Sequence, residues 1–172
     1  MIRITTNKGV IDIELDKEKA PITCENFEKY VTSGFYEGTL FHRVIKGFMI
    51  QGGGIVRGGF FKGLKRKDGG FNAIKNEANN GLKNDKYTIA MARTSDPDSA
   101  TSQFFINVKD NDFLNFKSAT AQGYGYAVFG KVVAGFDVVD AIEAVATGTS
   151  GMYSDVPKED VIIEKTEVLG AS

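Results

Sequence analysis

A chain of 172 residues is long enough for one domain with a substantial core, and 42% hydrophobic with 25% charged residues is the balance of an ordinary globular protein. Twenty-one basic against 22 acidic residues leave a net charge of -1, which excludes the global positive field that would recruit nucleic acid. A single cysteine, Cys24, and a single histidine, His42, exclude an internal disulfide and a zinc site built from His and Cys.

Alternation begins at once. Ile2 and Ile4, then Ile11, Ile13 and Leu15, alternate with polar neighbours around Asn7-Lys8-Gly9, the pattern of a β-hairpin. No basic stretch followed by an apolar run precedes it, so no export signal is expected. No apolar run approaches the roughly 20 residues that span a bilayer. These readings predict a cytoplasmic protein without a membrane partner.

Pro21 opens a predicted helix that carries Phe27, Tyr30 and Val31 on one face, with Gly34 after its end. A second helix is predicted near Phe136–Val145 from Val138, Ile142 and Val145, with Asp137 as its cap. Between them lie short apolar runs at Leu40–Ile45, Phe48–Gln51, Thr88–Met91, Gln103–Val108 and Ala127–Val133, and Val161–Leu169 closes the series. Many short strands with two brief helices predict an all-β fold, a closed or nearly closed antiparallel sheet, in a single domain over 1–172. The glycine-rich stretch Gly52–Gly70, with Arg57, Lys62, Lys65, Arg66 and Lys67, reads as a solvated loop, with a partner-binding patch as the alternative. Within it, Lys62–Lys67 lacks the interleaved aromatics of a single-strand nucleic-acid binder.

Several motifs fail. Gly125-x-x-x-x-Gly130-Lys131 imitates a phosphate-binding loop, but Val132 stands where a hydroxyl would meet magnesium, and Tyr126–Phe129 reads as strand. Gly52-Gly53-Gly54 lacks dinucleotide-fingerprint spacing. Cys24 falls on the apolar face of the first helix, as a structural thiol does. His42 has no marked partner and reads as structural. No cofactor is expected.

The informative segment is Phe41–Gly53, FHRVIKGFMIQGG. Strand parity puts Arg43, Met49 and Gln51 on one face, and Phe48 joins them if Gly47 introduces a bulge. In Ser102–Ile106, Gln103 and Phe105 share a side. Amides and an arginine beside large apolar groups fit either a ligand groove or a packed sheet face with a rim arginine.

These two segments, together with Asn76-Glu77-Ala78-Asn79-Asn80, Met91-Ala92-Arg93 and Ala127–Val132, resemble the cyclophilins from about residue 2 to about residue 169. Asn107–Phe116 and Gly151–Glu164 are most similar to the bacterial cytoplasmic branch. The resemblance implies an eight-stranded antiparallel β-barrel capped by two short α-helices, and peptidyl-prolyl cis-trans isomerase activity that assists protein folding. It implies a catalytic set of Arg43, Phe48 and Gln51. It implies substrate contacts from Met49, Ala92, Arg93, Gln103, Phe105, Phe113, Leu114 and Tyr126. Partners would be proline-containing peptides and folding proteins, met by a monomer. Phe113 stands where many members carry tryptophan, and Tyr126 where many carry histidine; both keep an aromatic body, so activity is expected to survive, while the missing indole N–H at Phe113 implies weak binding of the cyclic peptide cyclosporin. The stretch Ile55–Gly70 looks longer than in close relatives. A module that binds proline peptides without catalysis is the alternative.

Overall fold

A computed structural model describes residues 1–58 and 63–170; Lys62, part of the expected basic stretch, lies outside the described residues. Twelve strands are found among them: β1 (Ile2–Thr6), β2 (Gly9–Leu15), β3 (Arg43–Ile45), β4 (Met49–Gly52), β5 (Ile55–Arg57), β6 (Leu64–Arg66), β7 (Thr88–Met91), β8 (Phe104–Asn107), β9 (Val128–Ala134), β10 (Thr147–Ser150), β11 (Tyr153–Pro157) and β12 (Ile163–Val168). Two α-helices accompany them, α1 (Pro21–Thr32) and α2 (Phe136–Glu143). Eight strands form one antiparallel sheet in the order β12-β1-β2-β9-β7-β8-β4-β3.

The sheet curls on itself, but its ladder is not continuous around the ring. The seam between its two ends is a single bridge, Leu40↔Ile162, flanked by Phe41 N–H to the Val161 carbonyl at 2.9 Å and Ile163 N–H to the Thr39 carbonyl at 2.8 Å. Inward-facing residues fill the interior: Ile2, Ile4, Ile11 and Ile13 of the first hairpin are fully buried. Phe104 packs edge-on against Phe27, Tyr36 and Phe41 within 6 Å. A barrel of this size is filled by side chains, so its centre is core.

Helix α1 begins at Pro21, whose missing N–H costs nothing at a helix start. No residue of its own caps it. Glu77, more than 50 residues on, accepts from the Thr23 N–H at 2.7 Å, the Thr23 hydroxyl at 2.6 Å and the Ile22 N–H at 3.3 Å. A carboxylate there satisfies orphan donors and complements the helix dipole. Cys24 is fully buried on the inner face of α1, its Sγ 3.3 Å from the Phe129 carbonyl, and burial pushes its thiol up to about 12. It is a packing residue, as expected from its position.

Helix α2 ends at Glu143, and its cap is Gly135, not Asp137, which sits within the first turn. Gly135 has φ +87, and a Cβ there would lie 2.2 Å from the Val10 carbonyl oxygen. Only glycine fits that approach, so backbone packing overrides the side-chain cap. The glycine-rich stretch is also not a plain loop. Its described parts pair as the β5–β6 hairpin, Ile55↔Arg66 to Arg57↔Leu64, and Arg57 holds Asp160. The β10–β11 hairpin, which packs beside β3, carried no signal in the alternation.

Candidate active site

The site is built on the outer face of the sheet, where one row crosses five strands: Arg43 (β3), Gln51 (β4), Phe105 (β8), Ala90 (β7) and Val128 (β9). The next row places Ile45 beside Met49 and Met49 beside Asn107. Met49, Ala90, Phe105, Leu114 and Val128 form a second buried apolar cluster, separate from the barrel core, with Phe48, Ala92 and Tyr126 packed on it. Phe48 reaches this face without a bulge. Ile45 pairs with Met49, so residues 46–48 form a tight three-residue turn, closed by Phe48 N–H to the Ile45 carbonyl at 3.0 Å. Gly47 takes φ +75 in that turn, a conformation that glycine adopts without strain.

A cavity of about 140 Å³ opens there, lined by Arg43, Phe48, Met49, Gln51, Ala92, Arg93, Phe105, Leu114 and Tyr126. Of the residues expected to form the site, Phe113 and Gln103 alone stay out of this lining. Phe113 is 62% exposed and stacks on Phe48 at 5.6 Å, a rim beyond the cavity. Gln103 is the end of a relay in which Arg43 Nη1 donates to Gln51 Oε1 at 3.3 Å and Gln51 Nε2 donates to Gln103 Oε1 at 3.0 Å. The other guanidinium donors of Arg43 have no acceptor among the described residues, nor does a carboxylate stand within ion-pair distance of it. A half-buried guanidinium with donors to spare, held at one nitrogen beside a cavity, is a preorganised donor for an incoming ligand.

Arg93 is positioned differently. Its guanidinium donates to the Gly125 carbonyl at 2.9 Å, the Thr94 carbonyl at 2.8 Å and the Ala121 carbonyl at 3.4 Å, and it lies over the Tyr126 ring at 4.7 Å. Its side chain ties the 117–126 segment to the cavity wall.

Beyond Gln51 lies a second recess, of about 250 Å³, whose wall includes Arg66, Thr94, Thr101, Gln103 and Tyr153. It shares Gln51, Ala92 and Arg93 with the first cavity, so the two adjoin. His42 lies in its wall, 5% exposed, packed edge-on against Tyr153 at 6.1 Å, with Nδ1 unpartnered among the described residues. Burial lowers its imidazolium to about 4. A neutral imidazole at ordinary pH, packed on an aromatic ring, fits the structural reading of His42. A third groove, of about 530 Å³ between Glu14–Glu18 and Leu82–Lys83, mixes lysines with carboxylates and contains none of the expected residues.

Residues 1–168 match the family model of the cyclophilin type peptidyl-prolyl cis-trans isomerase/CLD. Peptidyl-prolyl cis-trans isomerase B of Escherichia coli is 60% identical over 168 residues, covering 98% of this chain and 99% of the relative. The isomerase cyp18 of Streptomyces antibioticus is 56% identical over 169 residues, again 98% of both. Among solved structures, a Cryptosporidium parvum cyclophilin type isomerase, crystallised in the presence of the dipeptide Ala-Pro, superposes with a TM-score of 0.79 at 31% identity, over 99% of each chain. The chain belongs to the cyclophilin family.

The cyclophilin cavity rests on residues that the alternation pattern did not mark. Four asparagines form one network behind it. Asn84 Nδ2 donates to the carbonyls of Leu114 at 3.2 Å and Tyr126 at 3.3 Å. Asn111 Nδ2 donates to the Phe48 carbonyl and to Asn107 Oδ1, both at 2.9 Å. Asn107 Nδ2 donates to Asn84 Oδ1 at 3.0 Å, and Asn115 Oδ1 accepts from the Asn84 N–H at 2.7 Å. Three walls from three separate turns are thus fixed by one set of buried amides. Asn76 Nδ2 adds a bond to the Gly125 carbonyl at 3.1 Å, beside that of Arg93. The spacing Asn107–Asn111 was the one available signal, and asparagines between apolar strands usually read as turn residues.

Proposed function

We propose that this chain catalyses cis–trans rotation about X-Pro peptide bonds by stabilising the twisted amide, with Arg43, Phe48 and Gln51 as catalytic residues. The observation that carries the reading is Arg43, half-buried and without a carboxylate partner among the described residues, at the edge of a cavity of about 140 Å³ whose wall includes Phe48, Met49, Phe105 and Leu114. Amide resonance sets a barrier of ~18–20 kcal/mol. Before proline, cis lies only ~0.5–1 kcal/mol above trans, so both isomers are populated and exchange is slow. No bond needs to break; the twisted state must be bound better than either planar one.

Phe48, Met49, Phe105 and Leu114 take the proline ring, and Tyr126 closes the far wall. Rotation returns the lone pair to the proline nitrogen, making it an acceptor. The guanidinium donates to it without giving up its proton, so its role is electrostatic. The Gln51–Gln103 pair holds Arg43 in place and, with backbone at Ala92 and Arg93, holds the substrate chain. Exclusion of water from the cavity strengthens the arginine contact.

The relatives are isomerases by name, and one related structure was determined with Ala-Pro present, which supports proline-containing peptides as ligands here. We further propose that the chain works as one domain and as a monomer, on folding proteins in the cytoplasm. No helix among the described residues is long and apolar enough to cross a membrane. Cyclosporin is expected to bind weakly, because Phe113 offers no ring N–H donor.

The test is exchange spectroscopy on a short X-Pro peptide, comparing the wild type with Arg43→Ala. Fast exchange that falls at least about a hundredfold, or about 2.7 kcal/mol, in a folded variant is the expected result. A wild type that binds the peptide without speeding its exchange would establish the binding-module alternative.

A further inference from the structure

The chain has five arginines: Arg3, Arg43, Arg57, Arg66 and Arg93. Arg3 and Arg57 stand away from the cavities, and each holds a carboxylate, Asp12 and Asp160. The other three line the two adjoining cavities, and none of them has a carboxylate within ion-pair distance among the described residues. Neither cavity has an aspartate or glutamate in its lining. In a protein of net charge -1, the arginines without a carboxylate partner among the described residues all border these two cavities.

Arg66 is the most available of the three. It is exposed on β6, it lies in the wall of the second recess, and its side chain has no hydrogen bond or ion pair among the described residues. Arg93 spends its donors on backbone carbonyls, and Arg43 faces the proline cavity. An extended peptide advances about 3.3 Å per residue, so a chain with its proline in the first cavity lays a side chain one to three residues away over the second. A guanidinium offers a carboxylate a planar, two-pronged partner, while three like charges repel a lysine in the same place.

We propose that the second recess selects an acidic side chain flanking the substrate proline, with Arg66 as the specificity-determining residue. This rests on the isomerase reading above and gives the basic β5–β6 hairpin a role in it. The relevant substrates are acidic X-Pro segments of extended or folding chains.

The experiment uses one peptide sequence carrying Glu, Gln or Lys at each of the three positions before and after proline, with kcat/KM from exchange spectroscopy. At one position or more, Glu exceeds Lys by about threefold to fivefold, the range of an exposed ion pair. Arg66→Ala brings the ratio close to one and Arg66→Glu inverts it. Lys65→Ala, a neighbouring charge outside the recess, leaves it intact. Raising the salt to about 1 M, where the screening length is ~3 Å, shrinks the ratio. Equal rates for Glu, Gln and Lys at every position, or a preference that survives Arg66→Glu, would overturn the assignment. Absence of exchange with all peptides, the Gln series included, would instead remove the isomerase reading on which it stands.

Discussion

The interior of the barrel and the cavity on its outer face are made from the same strands, yet they are held by different forces. Inside, isoleucines and a cluster of phenylalanine and tyrosine rings fill the space between sheet and helices, and apolar burial does the fixing. Outside, a much smaller apolar cluster is pinned from behind by the directional bonds of Asn84, Asn107, Asn111 and Asn115. Non-directional burial tolerates repacking and supplies stability. Hydrogen-bonded amides tolerate little and supply position, which is what a site that must discriminate a twisted from a planar amide requires.

The contrast can be broken from the interior first. Ile4→Ala, on β1 across the sheet from the site, is expected to cost about 2–5 kcal/mol in chemical denaturation. The exchange rate of the folded variant should stay within about twofold of wild type. A large loss of rate at full folding would show that the interior sets the site geometry after all.

Acid probes the boundary between the two regions. His42 has its imidazolium lowered to about 4 in the native state against an unfolded value of 6.5, so the unfolded chain takes up a proton that the native one refuses. Stability is therefore lost as pH falls from about 6.5 towards 4, by up to about 3 kcal/mol. Denaturation midpoints at pH 7 and 4.5 should converge in His42→Phe, and an unchanged pH dependence would place the titration elsewhere.

The site-side counterpart is smaller in energy but sharper in meaning. Asn84→Ala frees the Leu114 and Tyr126 carbonyls, and a tenfold lower exchange rate at saturating peptide is expected, about 1.4 kcal/mol. Peptide affinity should change much less, since planar ground states need less exact walls. A variant that loses affinity and keeps its saturated rate would make the network a scaffold only.

What could be read from the sequence divides along the same line. Local periodicity exposed the first hairpin, both helices and the shared face of Arg43, Met49 and Gln51, because those depend on neighbours in the chain. The resemblance to the cyclophilins then supplied Ala92, Leu114 and Tyr126. Contacts made at long range escaped both. The carboxylate of Glu77 caps a helix more than 50 residues away, and the choice of Gly135 over Asp137 depends on the Val10 carbonyl. The asparagine network joins residues 84 to 115, which no periodicity relates. Phe113 looked like a cavity residue, but the turn that seats Leu114 directs it to the rim. The β5–β6 hairpin was hidden by its glycines, which score as loop, although its backbone pairs.

The seam at Leu40↔Ile162 has a consequence for how the chain reaches this state. It joins positions about 120 apart, and such a contact forms late, since the entropy of closing the intervening loop must be met first. Until then β3 and β12 are open edges with unpaired amides, ready to template a neighbouring chain. The two hydrogen bonds that close the seam therefore act as a latch against self-association. During refolding at high concentration, chains with this latch undone are expected to associate through these edges, and light scattering as a function of protein concentration checks it.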